Sequence, residues 1–186
     1  MEQQFQYYAF ISYKREDEKW AKWLQDRLRW YKLPSKLCRQ ITRLPKKVWP
    51  VFRDNTDLDS GRLEENIRHE LERSHYLIVI CSPEAARSPW VGKEVKYFAT
   101  LHGADKIIPF VVSGIPYSND IETECIHEQI KAISQEELLA INVREEGIGS
   151  FAMKKKRAFI RVVARLLDIK FNTLWQPYER ILRIRK

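Results

Sequence analysis

The stretch Ser88–Val95, SPWVGKEV, sets a tryptophan and a carboxylate four residues apart, shortly after the apolar run YLIVIC. On a helix that spacing stacks Trp90 and Glu94 on one face. Two readings fit these residue types. In one, the indole packs into the core and Glu94 is a solvated helix acid. In the other, the ring holds a substrate while the carboxylate works on it. The chain offers few rivals to this pair. It has no GxSxG elbow of a serine hydrolase and no CxxC, and His69, His75, His102 and His127 lack metal-ligand spacing. No GxxxxGK[ST] phosphate loop occurs among its six glycines. The best dinucleotide-type match is GIGSFA, with Gly147, Gly149 and Ala152. It sets Glu145 and Glu146 where a pyrophosphate would sit, and it reads better as a turn before a helix.

A pair of this kind needs a strand that ends just before it and a helix that carries it. YYAFISY (Tyr7–Tyr13) reads as a first buried strand. Trp20, Trp23, Leu24, Leu28 and Tyr31, at offsets of 3, 4, 8 and 11, give a helix with one apolar stripe. LPSKLCRQITRLPKK has no clean period and is expected to be a loop or a short irregular segment. VWPVFRD (Val48–Asp54) is a second strand, near an edge because Pro50 cannot donate to a ladder. After the polar loop NTDLDSG, Leu63, Ile67 and Leu71 mark a second helix. Tyr76–Ser82, apolar on both faces, reads as a central parallel strand. Ser88 as N-cap and Pro89 at the first position start the helix that bears Trp90 and Glu94. Lys106–Ser113 is a fourth strand, ETECIHEQIKAIS a weaker helix and LLAINV a short fifth strand. A final helix, FAMKKKRAFIRVVARLLDI, has Phe159, Val162, Val163, Leu166 and Leu167 on one side.

Five strand–helix alternations predict an α/β fold: a flavodoxin-like, doubly wound five-stranded parallel sheet with helices on both faces. Ligands of such sheets sit beyond the carboxyl ends of the strands. That places SYKRE, RDNTDLDSG and CSPEAARSPW around one rim, with Trp90 and Glu94 on it. A receiver domain would need an aspartate at the end of the third strand, where Cys81 and Ser82 stand.

The 186 residues suit one domain, expected over 1–170, with a basic tail over 171–186. The net charge of +8 allows nucleic acid, acidic membranes or polyphosphates as partners, but the basic residues run along the whole chain. An adaptor using Lys154–Arg157 and RILRIRK is the weaker reading, since a solvated helix face explains the same charges. Cys38, Cys81 and Cys125 are odd in number and far apart, which implies reduced thiols in a cytoplasmic setting, with Cys81 a small buried hydrophobe. The N-terminal residues do not read as a signal peptide, and no apolar run approaches the roughly 20 residues of a membrane span.

Four motifs in order, AFISYKRED, VFRDNTDLDSGR, YLIVICSPEAARSPWVGKE and IIPFVV, resemble the Toll/interleukin-1 receptor (TIR) domain family from about Phe5 to Leu167. WxxxE alone is a weak signal; the order of all four is specific. The resemblance implies the TIR fold and one of two functions. Some members are scaffolds that associate with other TIR domains. Others cleave NAD+ at the nicotinamide–ribose bond, as hydrolases or cyclases that yield an ADP-ribose-type product. In those, the glutamate of WxxxE is catalytic, and it maps onto Glu94. NAD+ is then a substrate, and neither cofactor nor metal is implied. Nicotinamide is a cationic leaving group, so a carboxylate beside the oxocarbenium-like ribose is the group the chemistry asks for.

The resemblance implies further contacts. Ser12, Tyr13, Lys14 and Arg15 follow the first strand, where family members touch the dinucleotide, and Lys14 or Arg15 would pair with the pyrophosphate. As plain helix-start residues, both cations would be mildly unfavourable there. Trp90 would pack on the ribose or a substrate ring, or else in the core. Arg53 and Asp54 end the second strand before the loop to Gly61, which serves assembly or catalysis. Ser82 and Ser88 flank the pocket, or act as turn and cap residues. The implied partners are NAD+, other copies through TIR–TIR contacts, and an effector that senses the product. By analogy with stand-alone prokaryotic members, the product is expected to be an immune signal in antiphage defence.

Overall fold

Five strands make one parallel sheet: β1 (Tyr7–Ser12), β2 (Val51–Arg53), β3 (Ser74–Cys81), β4 (Ile107–Val111) and β5 (Ile141–Asn142), in the order β2-β1-β3-β4-β5. The structure is a computed structural model that describes residues 5–54, 61–134, 138–145 and 149–176, and for 61–64 the backbone only. The chain starts on β1, steps outward to β2, then crosses to β3 on the other side. The direction of winding therefore reverses between β1 and β3, and a ligand crevice belongs beyond the carboxyl ends of those two strands. β3 is central, as its unbroken apolar run predicts, and Tyr76–Cys81 is buried throughout.

The helices are α1 (Glu18–Trp30), α2 (Ser35–Gln40), α3 (Gly61–Glu72), α4 (Pro83–Ala86), α5 (Pro89–His102), α6 (Glu128–Ile133) and α7 (Phe151–Leu166). Strand alternation sorts them into two layers. Ala9, Ile11, Ile78, Ile80 and Phe110 pack against Leu24 and Leu28 of α1 and Phe159 and Val162 of α7. Phe10, Leu77, Val79 and Val111 point the other way, onto α3, α5 and α6 through Leu71, Val95, Phe98 and Ile130. Each such fully buried aliphatic or aromatic side chain stabilises the fold by about 1.5–3 kcal/mol.

Several boundaries differ from the sequence reading, each for a tertiary reason. LPSKLCRQITRLPKK contains the six-residue α2, anchored by buried Leu33, Leu37 and Leu44 at a spacing too irregular to show a period. β2 is the expected edge strand but is short, and Pro50 joins the ladder only through its carbonyl, which accepts the Tyr8 N–H at 2.9 Å. A 3-10 turn, Arg15–Asp17, precedes α1. Of ETECIHEQIKAIS only the second half is helical, after an isolated bridge between Ile115 and Glu124.

The expected tail does not start as a tail. Residues 171–176 are helical, and Leu174 and Trp175 are buried in the α1/α7 layer. The remainder of the tail, with Tyr178, Ile181 and Leu182, lies outside the described residues, as do 55–60 of the NTDLDSG loop, the Leu63 side chain and Gly147. Cys38, Cys81 and Cys125 are free thiols, the last two buried. Among the described residues, no helix is long and apolar enough to cross a membrane.

Candidate active site

Two serine caps aim α5 at the strand ends. Ser82 accepts the Ala85 N–H at 3.0 Å and starts α4. Ser88 accepts the Val91 N–H at 3.4 Å, and Pro89 follows at the first helical position. α5 then lays Glu94 against the end of β1, where it is only 4% exposed. Both carboxyl oxygens are engaged. Trp90 donates its indole N–H to Oε1 at 3.0 Å, and Ser12 donates its hydroxyl to Oε2. Glu94 is thus not a solvated helix acid. Trp90, half-buried, is neither a free ring nor a pure core residue, because it orients the acid one turn on.

Burial dominates the electrostatics. Desolvation pushes the Glu94 carboxyl from 4.5 up to about 8, the Ser12 hydrogen bond opposes it, the negative charge of Asp54 adds to it, and Trp90 opposes it again. Burial therefore favours the protonated form of this group at neutral pH.

The other expected site residues divide into groups. Tyr13 donates its hydroxyl to the Asp54 carbonyl. Arg53 donates from Nη1 to the Tyr13 oxygen at 3.0 Å and from Nε to Gln25 Oε1 at 3.0 Å, and it meets Glu18 at 3.4 Å. This network ties the ends of β1 and β2 to α1, so Arg53 serves the frame. Asp54, 8% exposed, follows β2, and its charge reaches Glu94. Lys14 and Arg15 belong to the 3-10 turn, where the Lys14 carbonyl accepts the Asp17 N–H at 2.8 Å.

Ser82 donates to Asp17 Oδ2 at 2.5 Å, and it also acts as the cap foreseen for it. Asp17 is a residue that sequence reasoning missed. It is 8% exposed and occupies the N-cap position of α1 without capping through its side chain. Desolvation pushes its carboxyl upward, against the Ser82 hydrogen bond. In the charge run KREDEK it looks like any helix-start acid. Its place at the end of the turn after β1, opposite the serine that follows β3, was the available signal.

A pocket of about 410 Å³ opens beside Glu94 between α3 and α5. Trp90, Glu94 and Tyr97 form one wall, with Ile67 and Leu71 opposite; Lys14, Arg15, Arg53 and Asp54 do not line it. Among the described residues, no group of three His, Cys, Asp or Glu side chains is placed to hold a metal ion.

Residues 9–146 match the sequence model of the TIR domain family, well over half of the chain. The chain belongs to the TIR domain family. It is 36% identical over 110 residues to the NAD(+) hydrolase ApTIR of an Actinoplanes species, a match that covers 58% of this chain and 14% of that protein. The TIR domains in the structure of the activated Roq1 resistosome directly recognizing the pathogen effector XopQ superpose with a TM-score of 0.55 at 14% identity, over 83% of this chain and 98% of that one. At that identity the likeness shows the TIR fold alone.

Proposed function

We propose that this TIR domain cleaves NAD+ at the nicotinamide–ribose bond, with Glu94 as its catalytic residue. The observation that carries the reading is a nearly fully buried carboxyl at the carboxyl end of β1, fixed through both oxygens by Ser12 and Trp90 and lining a pocket between α3 and α5. The match to a protein named as an NAD(+) hydrolase supports it.

The chemistry follows from the environment. The C1′–N bond breaks with its electron pair leaving on nicotinamide, which departs neutral. Positive charge develops on the ribose, and in a dry pocket an ionised carboxylate stabilises it far better than water does. The cationic nicotinamide riboside half favours the ionised form of Glu94, offsetting the desolvation that otherwise keeps its proton on. Water then attacks C1′ and loses a proton to Glu94 or solvent, giving ADP-ribose; attack by a nitrogen of the adenine would give a cyclic product instead. The role of that product as an immune signal in antiphage defence, sensed by an effector, and self-association through TIR–TIR contacts complete the proposal on the strength of family membership.

The test is product analysis of concentrated protein with NAD+, beside Glu94→Gln. The wild type is expected to release nicotinamide and the variant to lose a hundredfold or more of that rate. No release by the wild type, even with assembly forced by crowding or fusion, would overturn the enzymatic reading in favour of a TIR–TIR scaffold.

A further inference from the structure

Asp17 is a buried acid with a local use that it does not take. It stands at the N-cap position of α1, where an aspartate oxygen normally accepts a free helix N–H, yet its side chain makes no cap bond. The carboxylate turns instead to the end of β3 and accepts the Ser82 hydroxyl at 2.5 Å, across 65 residues of sequence. Desolvation disfavours the charge, the Ser82 bond favours it, and Glu84 and Glu16 disfavour it further. The role of this residue therefore lies in the bond it makes, not in the helix it precedes.

Ser82 leads from that bond to the site. It is fully buried, and the oxygen that donates to Asp17 also accepts the Ala85 N–H at 3.0 Å. The Ala85 carbonyl accepts the Ser88 N–H at 3.1 Å, and the Ser88 hydroxyl accepts the Val91 N–H at 3.4 Å. Four hydrogen bonds thus join the Asp17 carboxylate to the turn of α5 that carries Trp90. Pro83 and Pro89 fix φ where α4 and α5 begin, so the corner between them has little slack. Trp90 in turn holds Glu94 Oε1, while Ser12 holds Oε2. The end of β1 and the turn after it therefore meet α5 at two points: directly through Ser12, and through Asp17 and Ser82 at the start of the helix. Outer hydrogen bonds of this kind keep a reacting group within the narrow geometry it needs.

We infer that Asp17 is a positioning residue of the Glu94 site: by holding Ser82 it sets the α4–α5 corner, and with it the line along which Trp90 presents Glu94 to the end of β1. The consequence for catalysis rests on the NAD+ reading given above; the consequence for the Trp90–Glu94 bond rests on the hydrogen-bond geometry alone.

The experiment is proton–nitrogen correlation NMR of the indole N–H groups in the full chain, with Trp90 assigned through Trp90→Phe, alongside the kinetics of NAD+ cleavage. The variants are Asp17→Ala, Asp17→Asn, Ser82→Ala and Glu16→Ala. Asp17→Asn keeps an oxygen that accepts the Ser82 hydroxyl, and Glu16→Ala removes an exposed acid of the same turn as a control. Asp17→Ala and Ser82→Ala are expected to move the Trp90 resonance upfield as its bond to Glu94 lengthens. Trp49 and Trp175, packed in the α1/α7 layer, should stay in place and show that the variants are folded. In these two variants kcat should fall about tenfold, the size of one hydrogen bond to a charged group, with KM within about twofold. Asp17→Asn and Glu16→Ala should leave the resonance in place and kcat within about threefold of wild type. Should Asp17→Ala fail to fold, Ser82→Ala tests the same bond from its other end. An unmoved Trp90 resonance in the folded variants, a shift in Asp17→Asn as large as in Asp17→Ala, or a loss expressed in KM alone overturns the positioning role. The expected shifts without nicotinamide release by wild type sustain it while defeating cleavage; release with unmoved resonances does the reverse.

Discussion

Burial gives Glu94 a pH signature that needs no substrate to read. Its carboxyl titrates near 4.5 in the unfolded chain and at about 8 in the fold, so across that window the native state binds the extra proton. Stability then falls as pH rises through the window and levels off above it. Glu94→Gln removes the titration while keeping the shape and an acceptor for the Trp90 N–H. The variant should gain stability over wild type by on the order of 3 kcal/mol between pH 5 and 8, measured by urea unfolding at the two pH values. A constant offset between the two proteins would mean that the carboxyl is ordinary. The pairing of Trp90 with Glu94 was legible in the sequence, because i, i+4 neighbours are fixed by local geometry. The Ser12 contact was not, since it joins residues 82 apart and exists only once β1 and β3 are paired.

Among the elements, α5 is set closely against the segment that starts α6, and Gly92 explains how. A Cβ there would come within 2.5 Å of His127 Cε1 and 2.8 Å of Nε2. The ring cannot swing away cheaply. Its Nδ1 accepts the Gln129 N–H at 3.0 Å, which leaves Nε2 to donate to the Ser88 carbonyl at 3.0 Å. Desolvation lowers the His127 pKa, in keeping with this neutral tautomer. Gly92→Ala should destabilise the fold by about 1–3 kcal/mol. Combined with His127→Ala, it should cost less than the sum of the two single variants, because removing the ring removes the clash that the new Cβ makes. Urea midpoints of the four proteins decide this. Sequence located α5 well, since Ser88 and Pro89 are start signals in their own right. The α5–α6 contact was illegible: a glycine in a helical run advertises a close approach without naming the partner. α2 escaped because it is too short and too irregularly spaced to show a period, whereas the short fifth strand was foreseen in LLAINV and forms at Ile141–Asn142.

The unit as a whole extends past its expected end. Leu174 is fully buried, and Trp175 stacks on Phe171 at 5.5 Å and lies under the Arg157 guanidinium at 5.3 Å. Leu174→Ala should therefore cost about 2–5 kcal/mol in urea unfolding, a core-sized loss from a segment that reads as a basic extension. The sequence left this open: Trp175, Tyr178, Ile181 and Leu182 give a partly amphipathic pattern that allows packing on the domain, while the surrounding charge reads as an extension. The doubly wound architecture, in contrast, was legible from alternation, while the strand order comes from the structure. It sets up one last relation between distant parts. Ser12 at the end of β1 reaches Glu94, on the helix that comes after β3, while Ser82 at the end of β3 reaches Asp17, in the turn that comes after β1. By strand alternation the two bonds lie on opposite faces of the sheet, like diagonal braces on either side of a panel. Displacing either helical layer against the strand ends stretches a brace, and the two braces are tied together by the pairing of β1 with β3.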